Sequence, residues 1–187
     1  MPSITSIPGA IVVLLFCHLV QAQPSAPYTL IPAGSFDKSA AVVVDVPGQK
    51  GQKAVGLAAE MGRAIGKTIR EGFPRARVLG STDLTHHGGH FGSPGGRGKA
   101  GVEWAVENDR RMLDLLVRMD AEAVVAEARD RLNACGPWAI AATIAAAREL
   151  GAARGHILHY TTSFDVMREK MGRTDYEAAV GYVGAAF

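Results

Sequence analysis

The stretch that decides how this chain is organised is Ala76-Arg77-Val78-Leu79-Gly80-Ser81-Thr82-Asp83-Leu84-Thr85-His86-His87-Gly88. Val78 and Leu79 give it the character of a short buried strand, and Gly80 lets another backbone or a ligand come close. Asp83 and His86 then arrive together just past the strand's end. In open α/β sheets, ligands sit in the loops beyond the carboxyl ends of strands. A carboxylate beside an imidazole suits acid–base work or metal binding. The same spacing also fits a capping Asp followed by surface histidines, so the surrounding chain has to decide.

Upstream, Ala40–Val46 reads as a strand buried on both faces, ended by Pro47-Gly48. A helix is predicted from Lys53 to Glu71, where Leu57, Met61, Ala64, Ile65, Thr68 and Ile69 recur at three- and four-residue intervals. Gly72 and Pro74 stop it. Strand, helix, strand with apolar strands is the pattern of a βαβ unit, so the fold class is α/β with a largely parallel sheet.

The whole composition agrees with a folded domain. The chain has 187 residues, 48% of them hydrophobic, and a net charge of +2 from 20 basic and 18 acidic residues. That balance, with no basic run interleaved with aromatics, gives no case for nucleic acid. The two cysteines, Cys17 and Cys135, lie in unlike settings and do not suggest a disulfide framework.

Residues 1–36 form an uncharged N-terminal segment, set apart from a domain over 37–187. Its apolar run Ala10–Val20 is too short for a stable membrane span. It reads as the apolar part of an export signal, with Val20-Gln21-Ala22 as a cleavage site, as a buried strand, or as sequence misread near a gene start. The expected location is cytoplasmic, or exported if the run is a signal.

After His86 comes a glycine-rich loop whose spacing is wrong for a phosphate cradle; it reads as a mobile loop flanking the site. Val102–Met119 is predicted as an amphipathic helix. Asp109 lies on or beside its apolar stripe, where a carboxylate must find partners such as loop amides or a basic group. Its expected role is structural. Asp120 is expected to cap a short helix through Arg131. Cys135 precedes Pro137 and a long helix to Leu150, so it sits where helix-end amides favour negative charge. That is a place for a metal-binding or reactive cysteine, or for a small packed one. Gly155–Ser163 reads as a strand on which His156 and His159 face opposite sides, His159 toward the covered face. A polar loop from Arg168 to Asp175 and a central last strand, Ala178–Phe187, complete the chain.

Four segments together resemble one family: Ser81-Thr82-Asp83-Leu84-Thr85-His86, Glu107-Asn108-Asp109-Arg110-Arg111-Met112-Leu113, Asn133-Ala134-Cys135-Gly136-Pro137, and Tyr160-Thr161-Thr162-Ser163-Phe164-Asp165-Val166. In order and spacing they are similar to the Memo family, in particular members called AmmeMemoRadiSam system protein B. Val180-Gly181-Tyr182 resembles the family's last strand. The resemblance implies a three-layer α/β sandwich with a largely parallel or mixed central sheet, like the C-terminal part of the Memo and class III extradiol dioxygenase fold. It implies a pocket in which Asp83 and His86 match a D-x-x-H pair and Cys135 matches the pocket cysteine. Two further histidines that the family supplies from an N-terminal half have no recognisable counterpart, and His87 is an extra imidazole where bacterial relatives carry an aromatic residue.

Two functions follow as expectations. One is a metal-dependent oxidoreductase with iron or copper on His86 and Cys135, His86 serving as ligand or general base and Asp83 orienting it. The other is a non-catalytic binding or accessory module that keeps the pocket for a protein partner. Half of a two-part sheet would leave a strand edge and an apolar face exposed, which also favours a homo-oligomer.

Overall fold

The computed structural model describes residues 11–16, 42–45, 53–73, 75–92, 94, 95 and 97–187. Cys17, His18, the cleavage-site residues and most of the 1–36 segment lie outside them. Within the described residues the elements run β1 (Ile11–Phe16), β2 (Val42–Asp45), α1 (Lys53–Gly72), β3 (Ala76–Ser81), β4 (His86–Gly88), α2 (Gly98–Arg118), α3 (Ala121–Arg131), α4 (Pro137–Glu149), β5 (His156–Thr162), α5 (Ser163–Met171) and β6 (Ala178–Ala186). The chain is α/β. Its strands form two three-stranded sheets, ordered β2-β1-β3 and β4-β6-β5.

The first sheet is parallel, with Val13 opposite Val42 on one side and opposite Val78 on the other. The helix α1 makes the crossover from β2 to β3, which flank β1 in the same sheet, and parallel strands of one sheet require such a crossover. The second sheet is antiparallel. Its central strand β6 pairs with β4 through His86–Val180 and with β5 through Thr162–Gly181.

One face of β3 turns inward. Ala76 is buried and Val78 and Gly80 are half-buried, whereas Arg77, Leu79 and Ser81 are exposed. The same alternation continues on β6, where Val183 and Ala185 are partly covered and Tyr182, Gly184 and Ala186 are open. The core lies over the covered face, built from Leu84, Met112, Met119, Val124, Ile144 and the alanines of α4.

Small residues bring α1 and α4 together. A Cβ on Gly62 would collide with the Ala142 carbonyl, and one on Gly66 would lie 2.6 Å from the Ala146 carbonyl oxygen. The alanine run of α4 presents a low surface to that approach, and nine of its residues are buried. On its other side α4 meets β3, because a Cβ on Gly80 would clash with Thr143. The glycine that sequence alone marks for a close approach therefore receives a helix. Since α4 begins at Pro137, this packing sets where the residues just before it stand.

Two elements differ from the sequence expectation. A helix, α5, that the sequence reading did not foresee runs into the stretch read as a polar loop, and Thr162 starts it: its hydroxyl accepts from Asp165 N at 3.1 Å and donates to the Asp165 carboxylate at 2.7 Å. This is a capping box written in the sequence as Thr162-x-x-Asp165 and hidden by the strand it terminates. The second difference is a bulge in β5. Ile157 pairs with Ala185 and His159 with Gly184, leaving Leu158 as an extra residue. The bulge resets the alternation, so His156 and His159 share the exposed side. His159 does not point at the covered face. By contrast Asp120 caps α3 as expected, accepting from Ala123 N at 3.1 Å.

The α1–α4 contact gives a paired test. Alanine is favoured over glycine inside a helix by about 1 kcal/mol, but overpacking against backbone that cannot yield costs about 1–3 kcal/mol. Gly62→Ala is expected to lower the urea midpoint. Gly56→Ala, whose nearest neighbour would be a flexible Glu60 oxygen at 3.9 Å, is expected to raise it.

Candidate metal centre

The site is built where two loops meet. After Ser81 the chain leaves its sheet, and residues 82–85 run outside any helix or strand into β4. This segment is held from below by β6, with Leu84 N donating to Gly181 O at 2.9 Å and Gly181 N to Thr85 O at 3.0 Å. It is held from α2 by Asp109, whose Oδ1 accepts from Thr85 N at 2.8 Å. Asn108 adds a bond from its Nδ2 to the Thr85 hydroxyl at 3.1 Å. Thr85 is 1% exposed and Asp109 0%, so these are buried polar contacts that water does not replace.

Asp109 takes one more partner, the Tyr160 hydroxyl, which donates to Oδ2 at 2.7 Å. Its carboxyl is pushed above the usual carboxylate range by burial, against the pull of the Thr85 and Tyr160 hydrogen bonds and the nearby His86. Tyr160 in turn is pushed up, first by burial and then by Asp109. Gly181 lies directly over this carboxylate, and any Cβ there would fall on Oδ2. The structural role expected for Asp109, bonded to a loop amide, is the arrangement found.

The second loop runs from α3 to α4. Asn133, fully buried, donates to the carbonyl of Asn108 at 3.0 Å and to Glu127 Oε1 at 3.2 Å. Arg111 pairs with Glu127 at 2.6 Å and holds its carboxyl below the ordinary range. The two loops are then stitched to each other. Cys135 N donates to Asp83 O at 3.1 Å, Gly136 N donates to the Thr82 hydroxyl at 2.7 Å, and that hydroxyl lies 3.4 Å from Cys135 Sγ.

The outcome is that Asp83, His86 and Cys135 converge. One ligand atom from each lies within 4.8 Å of the other two, and among the described residues no other such group of three is present. Asp83 Oδ2 approaches His86 Nε2 at 3.5 Å. That approach misses hydrogen-bond geometry, and Nε2 is hidden from solvent without a hydrogen bond among the described residues. Phe91, from the glycine-rich loop, sets its ring edge-on to His86 at 4.9 Å between centroids. Further along that loop, Gly95 is pressed against the Trp104 indole.

His87 does not join the group. It follows His86 on a strand, so it faces the other way, into the protein, where it is 1% exposed. Burial pushes its imidazole below the ordinary histidine range. Sequence reasoning passed over Thr82 and Tyr160, both inside quoted segments, and the position of Tyr182. The Tyr182 phenol is pushed up by burial and by the negative charge of Asp83, which places it by the site. None of the three has a spacing signature; what they share is contact across distant segments.

The family model described as "Memo-like protein" matches residues 44–186. The chain belongs to the Memo-like family. It is 33% identical over 158 residues to a MEMO1 family protein of Thermococcus kodakarensis, an alignment covering 81% of this chain and 51% of the relative. A MEMO1 family protein of Pyrococcus abyssi is 29% identical over 174 residues, covering 88% of this chain and 54% of the relative. One from Methanothermobacter thermautotrophicus is 36% identical over 121 residues, covering 64% and 39%. The chain thus spans about half the length of the first relatives it matches.

Asp109 gives a pH test. An acid whose folded pKa is raised binds its proton more tightly in the folded state, so it costs stability as pH rises from the unfolded value through the folded one. Asn in its place can still accept from Thr85 N and donate to the Tyr160 oxygen without that cost. The stability of Asp109→Asn relative to the parent, from urea unfolding, is expected to increase as pH is raised from 4 to 8. Asp109→Ala, which orphans the buried Thr85 amide, is expected to lose about 1–3 kcal/mol at every pH. His87 works in the opposite sense. Its folded pKa is lowered, so its contribution is fully present above about 6.5 and is lost as pH falls from there through the lower folded value.

Proposed function

We propose that this chain carries a divalent-metal site on Cys135, His86 and Asp83, and that the site serves an oxidoreductase reaction on a substrate that remains to be identified. The convergence of three different donor types within 4.8 Å carries the proposal. A thiolate, an imidazole and a carboxylate together suit iron, copper or zinc rather than magnesium or calcium. Donors around an ion with bonds of about 2.0–2.3 Å stand roughly 3–4 Å apart, so closing the group takes a movement of about an ångström. The hidden, unbonded Nε2 of His86 is a further sign of fit, since a buried acceptor or donor without a partner is costly.

In this reading Cys135 and His86 hold the ion and Asp83 adds a carboxylate beside the imidazole. The ion, iron or copper for oxidoreductase work, supplies Lewis acidity and electron transfer. The chain's own groups do the rest. With His86 engaged as a ligand, Asp83 is the general base: its carboxylate accepts a proton from a bound molecule. Phe91 shields one edge of the imidazole from water. Three protein donors leave positions open for substrate, the arrangement of catalytic rather than structural metal sites. The two three-stranded sheets would be parts of one central mixed sheet in a three-layer sandwich, acting in the cytoplasm.

A second reading, a binding module for a protein partner or a second copy, draws support from the open sheet face. Leu79 is 49% exposed, Leu158 70% and Tyr182 39%, on strands whose other face is packed under helices. The two readings are compatible. Among the described residues no helix is long and apolar enough to cross a membrane.

The purified full chain is expected to hold iron or copper in near-stoichiometric amount, measured by elemental analysis. His86→Ala and Cys135→Ser should each reduce it at least tenfold. Adding the metal at a hundred times its Kd should raise the unfolding free energy by about 2.7 kcal/mol. A folded parent chain with no metal and no stabilisation by added metal would remove the metal-site reading. Sedimentation of that chain as a monomer at all concentrations would count against the self-association reading.

A further inference from the structure

The side chain that joins the two loops of the site has one proton to give and two places to give it. Thr82 Oγ1 accepts from Gly136 N at 2.7 Å, which fixes the hydroxyl oxygen. From there its hydrogen can point to Asp83 O at 3.2 Å or to Cys135 Sγ at 3.4 Å. Asp83 O already receives the Cys135 amide at 3.1 Å, so that carbonyl is satisfied without Thr82. A hydroxyl carries one donor and two lone pairs, and it turns to suit its neighbours.

We infer that Thr82 is a positioning residue for the Cys135 sulfur: with its oxygen fixed by the Gly136 amide, its hydroxyl takes the hydrogen bond of the Cys135 thiol and so sets where the sulfur stands. With the thiol, S–H points at the second lone pair of Oγ1 and the Thr82 hydrogen turns to Asp83 O. Hydrogen bonds around a ligating sulfur draw off electron density and fix its direction, so the same hydroxyl adjusts how strongly Cys135 gives to an ion. The part that concerns the ion rests on the metal-site reading above; the hydrogen bond itself does not.

The experiment uses the full chain with Cys17→Ser, so that one thiol reports. Its first arm is metal-free. The S–H stretch of Cys135 in the Raman spectrum should lie at lower frequency in the folded chain than in the same chain unfolded in urea. Thr82→Val should raise it and Thr82→Ser should leave it low. A folded-state band at the unfolded position, or one that ignores Thr82→Val in a folded variant, overturns the inference whatever the metal does. The parent comparison decides this even if Thr82→Val fails to fold.

The second arm titrates Co²⁺ into the same proteins. The parent should give a thiolate-to-cobalt charge-transfer band that Cys135→Ser abolishes. Thr82→Val should move that band to longer wavelength and weaken Co²⁺ binding about 10–100-fold; Thr82→Ser should restore both. A band that is present but unmoved overturns the role of Thr82 alone. A parent with no such band overturns the metal site, and with it the role of Thr82 toward an ion.

Discussion

A carboxylate without exposed surface holds this site in shape. Asp109 ties three segments that are far apart in the chain: the loop at Thr85, the strand β5 at Tyr160 and, by close approach, the strand β6 at Gly181. Burying an ionised carboxyl alone would be prohibitive. Two short hydrogen bonds, each worth about 1.5–3 kcal/mol when one partner is charged, offset that penalty only if their geometry is kept. The loop is therefore not free to drift. Asp83 and His86 stand where they do because the residue between them and Asp109 is fixed on three sides.

Cys135 is placed by a different and mainly apolar constraint. Its helix α4 is wedged between α1, through Gly62 and Gly66, and β3, through Gly80. Alanines on α4 remove the bulk that would hold these surfaces apart. The sulfur's position thus follows from backbone-to-backbone packing, whereas the imidazole's follows from a polar network. Thr82 is where the two schemes meet, one hydroxyl reaching both loops. Such a junction explains how an exposed cysteine and a half-buried histidine can be held to one another without a cross-link.

Much of this was legible from residues alone, and what was not has physical reasons. The three-four spacing of Leu57, Met61, Ala64, Ile65, Thr68 and Ile69 marks α1, and Asp120 and Pro137 mark the starts of α3 and α4. Asp83, His86 and Cys135 could be singled out because each stands at an element's end, where side chains are free to serve a ligand. The helix α5 was written as a capping box but masked by the strand running into it. The bulge at Leu158 has no local signature, and it reverses which face His159 takes. Thr82 and Gly181 act through partners about 50 to 100 residues away, and no periodicity reports a contact of that span.

The place of Gly181 on the last strand in chain order has a consequence for synthesis. The 95 residues from His86 to Gly181 take a ribosome ~5–20 s to add. Through that interval Asp83, His86 and later Cys135 are already in the nascent chain, but the strand that pins Leu84 and Thr85 does not yet exist. The donor group comes into register only when β6 docks. A growing chain therefore presents a loose thiol and a loose imidazole rather than a finished trap, and the site gains its grip at the end of folding, when the protein around it can choose what it holds.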